Sequence, residues 1–111
     1  MRLKPSQREK KRYVVFEIAS EQAFGFRDVK QAIEAASLRF LGEFGTQTAH
    51  PIVMESMYQG KTGIVRVARG SLNDMKSALV NIKGIQGKEA AIKVIGVSGI
   101  LKKARFKFLK R

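Results

Sequence analysis

Cationic side chains gather at both ends of the chain, in a pattern suited to holding phosphate. Residues 1 to 12 carry Arg2, Lys4, Arg8, Lys10, Lys11 and Arg12 against Glu9, and residues 102 to 111 carry Lys102, Lys103, Arg105, Lys107, Lys110 and Arg111 with no acid. Of the formal charge of +13, the two ends hold +5 and +6 and the body between them only +2. Such ends attract polyphosphate by counterion release and long-range steering. Short charge runs also serve as solvated, solubilising tails. Two runs, one interleaved with Phe106 and Phe108, favour nucleic acid, with an acidic membrane surface as the weaker alternative.

The rest of the chemical inventory is thin. There is no cysteine, so neither a disulfide framework nor a cysteine-ligated zinc site is available, and a reducing, cytoplasmic setting is the expectation. His50 is the one imidazole and sits beside Pro51, where a surface or packing role outweighs that of a base. The acids of the body are scattered singly, and no glycine pattern matches a P-loop or dinucleotide fingerprint. No catalytic, metal or cofactor site is expected on this chain. No run approaches the ~20 apolar residues of a membrane helix, so a soluble protein without a secretory signal is expected.

The elements that must position the cations follow from periodicity. At 111 residues and 44% hydrophobic, the chain fits one domain over 1–111, with 1–12 and 99–111 as basic extensions. Tyr13 to Ile18 alternates as a strand, with Val14, Phe16 and Ile18 toward helices and Tyr13, Val15 and Glu17 opposite. A helix is predicted from about Phe26 to Leu41, ended by Gly42. Thr48 to Tyr58 reads as a second strand, at an edge because Pro51 lacks an amide donor. Gln59-Gly60-Lys61 turns into Thr62 to Val67, a β-branched strand with Arg66 in an otherwise apolar run. An unpaired guanidinium is too costly to bury, so this strand needs one face open to water or to an anion.

After Arg69-Gly70, Ser71 with Asp74 suggests a capped second helix carrying Leu72, Met75, Ala78, Leu79 and Ile82, ended by Gly84 and Gly87. Glu89 to Val97 is the fourth strand. From Ser98-Gly99 a last helix would place Ile100, Leu101, Ala104 and Phe108 on one side and Lys102, Lys103 and Lys110 largely opposite. Phe106 and Leu109 fall outside that stripe and are candidates for partner contact.

The order βαββαβ implies an α+β, ferredoxin-like two-layer sandwich with a four-stranded antiparallel sheet, its first and third strands central and both helices on one face. Arg12, Tyr13, Arg66 and Lys93 are then expected on or beside the uncovered face. An RNA-recognition motif shares this strand order, but its third strand carries aromatic rings that stack on bases. Here that place is Thr62-Gly63-Ile64-Val65-Arg66, so phosphate contact and shape reading are the better expectation.

Four segments together carry a resemblance: Arg12-Tyr13-Val14-Val15-Phe16-Glu17-Ile18, Ser37-Leu38-Arg39-Phe40-Leu41-Gly42-Glu43-Phe44-Gly45, Thr62-Gly63-Ile64-Val65-Arg66 and Gly96-Val97-Ser98-Gly99. In order and spacing the chain resembles the archaeal ribonuclease P protein component 2 family, whose eukaryotic members are called Pop five. One departure is Ile100, where the family usually has threonine after Ser-Gly.

The resemblance implies a non-catalytic RNA-binding subunit of ribonuclease P, which removes 5′ leaders from precursor tRNA. In that family the RNA carries the chemistry with Mg2+, and the protein works beside ribonuclease P protein component 3, meeting precursor tRNA indirectly. It also leaves room for a homodimer within a heterotetramer. The RNA-binding candidates are Arg8, Lys10, Lys11, Arg12, Arg66, Lys102, Lys103, Arg105, Lys107 and Lys110, and the partner-interface candidates are Tyr13, Phe106 and Leu109. A generic ribonucleoprotein subunit and a protein- or ligand-binding ferredoxin-like module are the competing readings.

Overall fold

The structure is a computed structural model and describes residues 10–105. Strand β1 (Lys11–Ala19) buries Val14, Phe16 and Ile18 against helix α1 (Phe26–Ala49) and helix α2 (Leu72–Val80), as its alternation predicts. Strand β2 is Ile52–Val53, β3 is Thr62–Ala68, and β6 is Ala91–Ser98. These four form one antiparallel sheet in the order β2-β3-β1-β6, so β1 and β3 are central and the ferredoxin-like arrangement is the one observed. Val29, Ile33, Met75 and Leu79 close the core from the helical layer.

Helix α1 departs from expectation at its end. Gly42 does break the helix, with φ 77 and ψ 175, a conformation that strains any side chain with a Cβ. The chain then winds again through 43–49, where the sequence suggested a turn and the start of a strand. Thr48 Oγ1 donates back to the Phe44 carbonyl at 3.0 Å, Ala49 is fully buried, and His50 in the left-handed region donates its N–H to Thr46 O at 2.8 Å. The expected strand over Thr48 to Tyr58 therefore shrinks to two residues, at the predicted edge, followed by a 3-10 turn at Glu55–Met57.

The hairpin into β3 is fastened by Tyr58, whose hydroxyl lies 2.6 Å from Phe24 O and 2.7 Å from Gly60 O. Burial, and then the charge of Asp28, push its phenol pKa up, because both disfavour the phenolate. With the folded pKa raised, its contribution to stability is complete below the ordinary tyrosine value and is lost as pH rises through the raised one. Tyr58→Phe is expected to cost about 1 kcal/mol at neutral pH by urea unfolding. The variant is also expected to lose less stability than the parent between pH 8 and about 11. Equal losses in the two proteins would remove Tyr58 as the source.

Ser71 stands at the N-cap position of α2, as expected, but it also ends a 3-10 turn (Arg69–Ser71) at φ −107, ψ 13, and its buried side chain makes no cap bond. Nor do Gly84 and Gly87 end the helix. They belong to a small hairpin, β4 (Gly84–Ile85) and β5 (Lys88–Glu89), turned by Gln86 and Gly87 at positive φ. In β6 the register slips opposite the Val15/Phe16 step: Val15 pairs Gly96 and Phe16 pairs Val94. Ile95 is the extra residue, so Val94 and Val97 both face the helices while Ile95 faces the other way.

Helix α3 (Leu101–Ala104) crosses to the sheet's second face. Ala104 is fully buried against Val15 and Ile64, with Tyr13, Met54, Met57, Ile95 and Leu101 packed around them. That face was expected to be uncovered. It is instead partly occupied by the chain's own C-terminal turn, because Leu101 and Ala104 form an apolar pair at i, i+3 opposite an apolar strip of sheet.

Candidate nucleic-acid interface

Antiparallel pairing brings distant cations to one end of the sheet. Where β1 begins, β3 ends: Lys11 lies opposite Ala68, Arg12 opposite Val67 and Tyr13 opposite Arg66. The Arg69 N–H then donates to Lys10 O at 2.7 Å. Ser98, at the end of β6, pairs with Tyr13, so α3 departs from the same end. Lys10, Lys11, Arg12, Arg66 and Arg69 thus share one rim. Lys10 and Arg69 are exposed, and Lys11, Arg12 and Arg66 half-buried. Lys102, Lys103 and Arg105 are exposed on and just after the short helix that leaves this rim.

The cations divide between the two faces. Arg66 alternates with Ile64, and Lys11 with Tyr13 and Val15, so both belong to the second face, as expected for Arg66. Arg12 alternates with Val14 and Phe16, which places it on the helical side at the rim rather than on the second face. Its Nη1 donates to Lys11 O at 2.9 Å. A Cβ on Gly99 would stand 3.2 Å from that Nη1, so the absent side chain leaves the space in which the guanidinium lies. Lys93, opposite Glu17, is at the other end of the second face.

The Ser98-Gly99-Ile100 departure acquires a geometry. Ser98 Oγ accepts the Ile100 N–H at 3.1 Å and donates to Ile100 O at 3.0 Å, closing the turn with the hydroxyl this chain retains. Ile100 is the N-cap of α3, and its own side chain makes no cap bond. Expected on the docking stripe, Ile100 is 52% exposed instead, since the cap residue precedes the first helical turn.

Tyr13 is half-buried within the α3 cluster. Arg8, Phe106, Lys107, Leu109 and Lys110 lie outside the described residues. Arg69 is the rim residue that sequence reading missed. Its signal is its position just past a strand end, visible only once that end is paired with Lys10. Elsewhere, Leu38, Phe40 and Phe44 are exposed on α1, with Arg39 over the Phe40 ring at 5.7 Å. His50 is exposed in its helix-capping position. A shallow groove at the opposite end of the sheet mixes Lys83 and Lys88 with Glu21 and Glu89. Among the described residues no cluster of three or more His, Cys, Asp or Glu could hold a metal, and no helix is long and apolar enough to cross a membrane.

Strand order and layering define a ferredoxin-like α+β sandwich whose one sheet end is lined with cations. A model of the Rpp14/Pop5 family matches residues 12–109, and on that match the chain belongs to this family. Its relatives include ribonuclease P protein component 2 of Pyrococcus furiosus, 42% identical over 107 residues that make up 96% of this chain and 89% of the relative. The proteins of the same name from Methanosarcina acetivorans and Methanocaldococcus jannaschii are 34% identical (98% of this chain, 81% of the relative) and 36% identical (96% and 78%). Among solved structures, a chain in the cryo-EM structure of yeast ribonuclease MRP superposes with a TM-score of 0.68 at 15% identity, covering 94% of this chain and 89% of that one, a likeness of fold.

Proposed function

We propose that this chain is a non-catalytic, RNA-binding subunit of ribonuclease P, supporting removal of 5′ leaders from precursor tRNA by a catalytic RNA. The observation that carries the reading is the gathering of cations from two separate segments, 10–12 and 66–69, onto one end of a sheet, with three more on and just after the helix that leaves it, in a chain of the Rpp14/Pop5 family. Neutralising closely spaced phosphates lowers the cost of packing RNA strands together, so a subunit of this kind favours a folded RNA without touching a reacting atom. Mg2+ in this reading belongs to the RNA. A ribonuclease P protein component 3 homologue is the protein partner, precursor tRNA is met indirectly, and a homodimer within a heterotetramer is compatible with the exposed apolar residues of α1. The cytoplasm is the proposed compartment.

Single-turnover cleavage of a precursor tRNA by the cognate RNA and a component 3 homologue, at moderate magnesium, tests the reading. A rate increase that requires this chain is expected. With both proteins folded and associated, an unchanged rate would reject it and favour a generic RNA-binding subunit.

A further inference from the structure

The rim has a property beyond charge: its cations stand on both faces of the sheet. Lys11 and Arg66 project on the α3 side, Arg12 on the α1/α2 side, and Lys10 and Arg69 are joined across the strand end by the 2.7 Å backbone bond. A single strand of RNA draped over a ferredoxin-like sheet uses the face, with bases on aromatic rings. That surface is partly covered here, since Ala104 and Leu101 pack over Val15 and Ile64, and Tyr13, itself half-buried, is the one ring in the cluster among the described residues. The groove at the opposite end offers anions no advantage, because its two lysines stand beside two glutamates. The exposed apolar stretch of α1 carries Arg39 and Glu43, one charge of each sign, again without a net charge.

We infer that the rim of Lys10, Lys11, Arg12, Arg66 and Arg69 binds double-helical RNA through its two phosphate lines, with Gly99 positioning Arg12. The inference rests on the RNA-binding reading above and adds the form of RNA and the site. A sheet end with cations on either side meets two phosphate ridges at once, and A-form RNA presents such ridges on either side of its wide, shallow minor groove. The base edges need not be read, in keeping with a rim whose one ring among the described residues, Tyr13, is half-buried. Gly99 enters as a positioning residue. Its φ is not in the left-handed region, so alanine is conformationally allowed there, yet the added methyl would meet the Arg12 guanidinium at 3.2 Å and displace that flexible tip.

The test is binding of the full chain to a short RNA duplex and to each of its separated strands across a salt series. The duplex is expected to bind more tightly. An Arg12→Ala/Arg69→Ala double variant is expected to lose about tenfold or more in duplex affinity. Its log-log salt slope flattens by up to about 0.9 for each phosphate no longer neutralised. A Lys83→Ala/Lys88→Ala variant, removing equal charge at the opposite end, keeps most of both. Gly99→Ala weakens duplex binding with an unchanged unfolding midpoint, and adds nothing once Arg12 is alanine. Arg12→Lys, which keeps the charge, retains the salt slope.

Equal affinity for duplex and single strands, or equal losses from the two double variants, would overturn the inference. So would a Gly99→Ala effect that adds fully to Arg12→Ala. A chain that stimulates precursor tRNA cleavage yet shows any of these results keeps its proposed function and loses only this site. A chain that fails to stimulate cleavage but prefers duplex through this rim does the reverse.

Discussion

Phe16→Ala is expected to be among the most destabilising single truncations in the chain, at about 3–5 kcal/mol by urea unfolding. Phe16 is fully buried in the central strand β1, with Gly63 opposite on β3 and Val94 opposite on β6. It belongs to the cluster that joins the sheet to α1 and α2, so its loss opens a cavity at the junction of both layers. Small domains are stable by only about 5–15 kcal/mol, so this single change consumes a large share of the total. A loss below about 1 kcal/mol would mean that the layers close over the site and that the ring is not what joins them.

The second large effect is at Gly63, for the opposite reason. A Cβ there would lie 2.8 Å from Phe16 Cζ, 3.2 Å from Phe16 Cε2 and 3.1 Å from Tyr58 Cδ1. The Phe16 ring cannot retreat, because its own site is fully buried, and Tyr58 is tied by its hydroxyl to two carbonyls. Gly63→Ala is expected to destabilise by about 1–3 kcal/mol through overpacking, set against a gain of about 0.4–1 kcal/mol from a stiffer unfolded chain. The two sites should then couple: in a Phe16→Leu background, Gly63→Ala is expected to cost less than in the parent. Additive losses would show that the glycine serves the backbone and not the ring.

The fold was legible where one physical signal acted alone. Alternation over Val14, Phe16 and Ile18 located β1 and its buried face, and the spacing of Val29, Ile33 and Ala36 located α1. Reading failed where two signals conflicted. Gly42 is a genuine break, but the residues after it regain helical bonds because Ala49 finds a buried seat and His50 accepts a left-handed cap, neither visible locally. Thr48 was read as the start of a strand, whereas its hydroxyl bonds back to the helix it belongs to. The Ile95 bulge shifts the face of β6 by one residue, which no alternation rule anticipates.

The site was legible in part. Lys10, Lys11, Arg12 and Arg66 were singled out by type and position, and pairing brings them together. Arg69 was passed over because its neighbour Lys10 is far away in the chain and meets it only through strand register. The coverage of the second face by Ala104 was likewise hidden: alanine is a weak hydrophobic signal, and its seat between Val15 and Ile64 is made by two other strands.

The brevity of β2 bears on how this sheet meets other chains in crowded solution. An exposed strand edge is a template on which a foreign strand can add, backbone bond by backbone bond, toward fibrous aggregates. Here that edge is two residues long, preceded by a proline without an N–H and followed by a turn whose residues leave the sheet plane. The opposite edge, β6, is longer but kinked at Ile95 and carries Lys93. Among the described residues neither border offers the straight, uncharged run that recruits an incoming strand, so both edges of this sheet resist joining another.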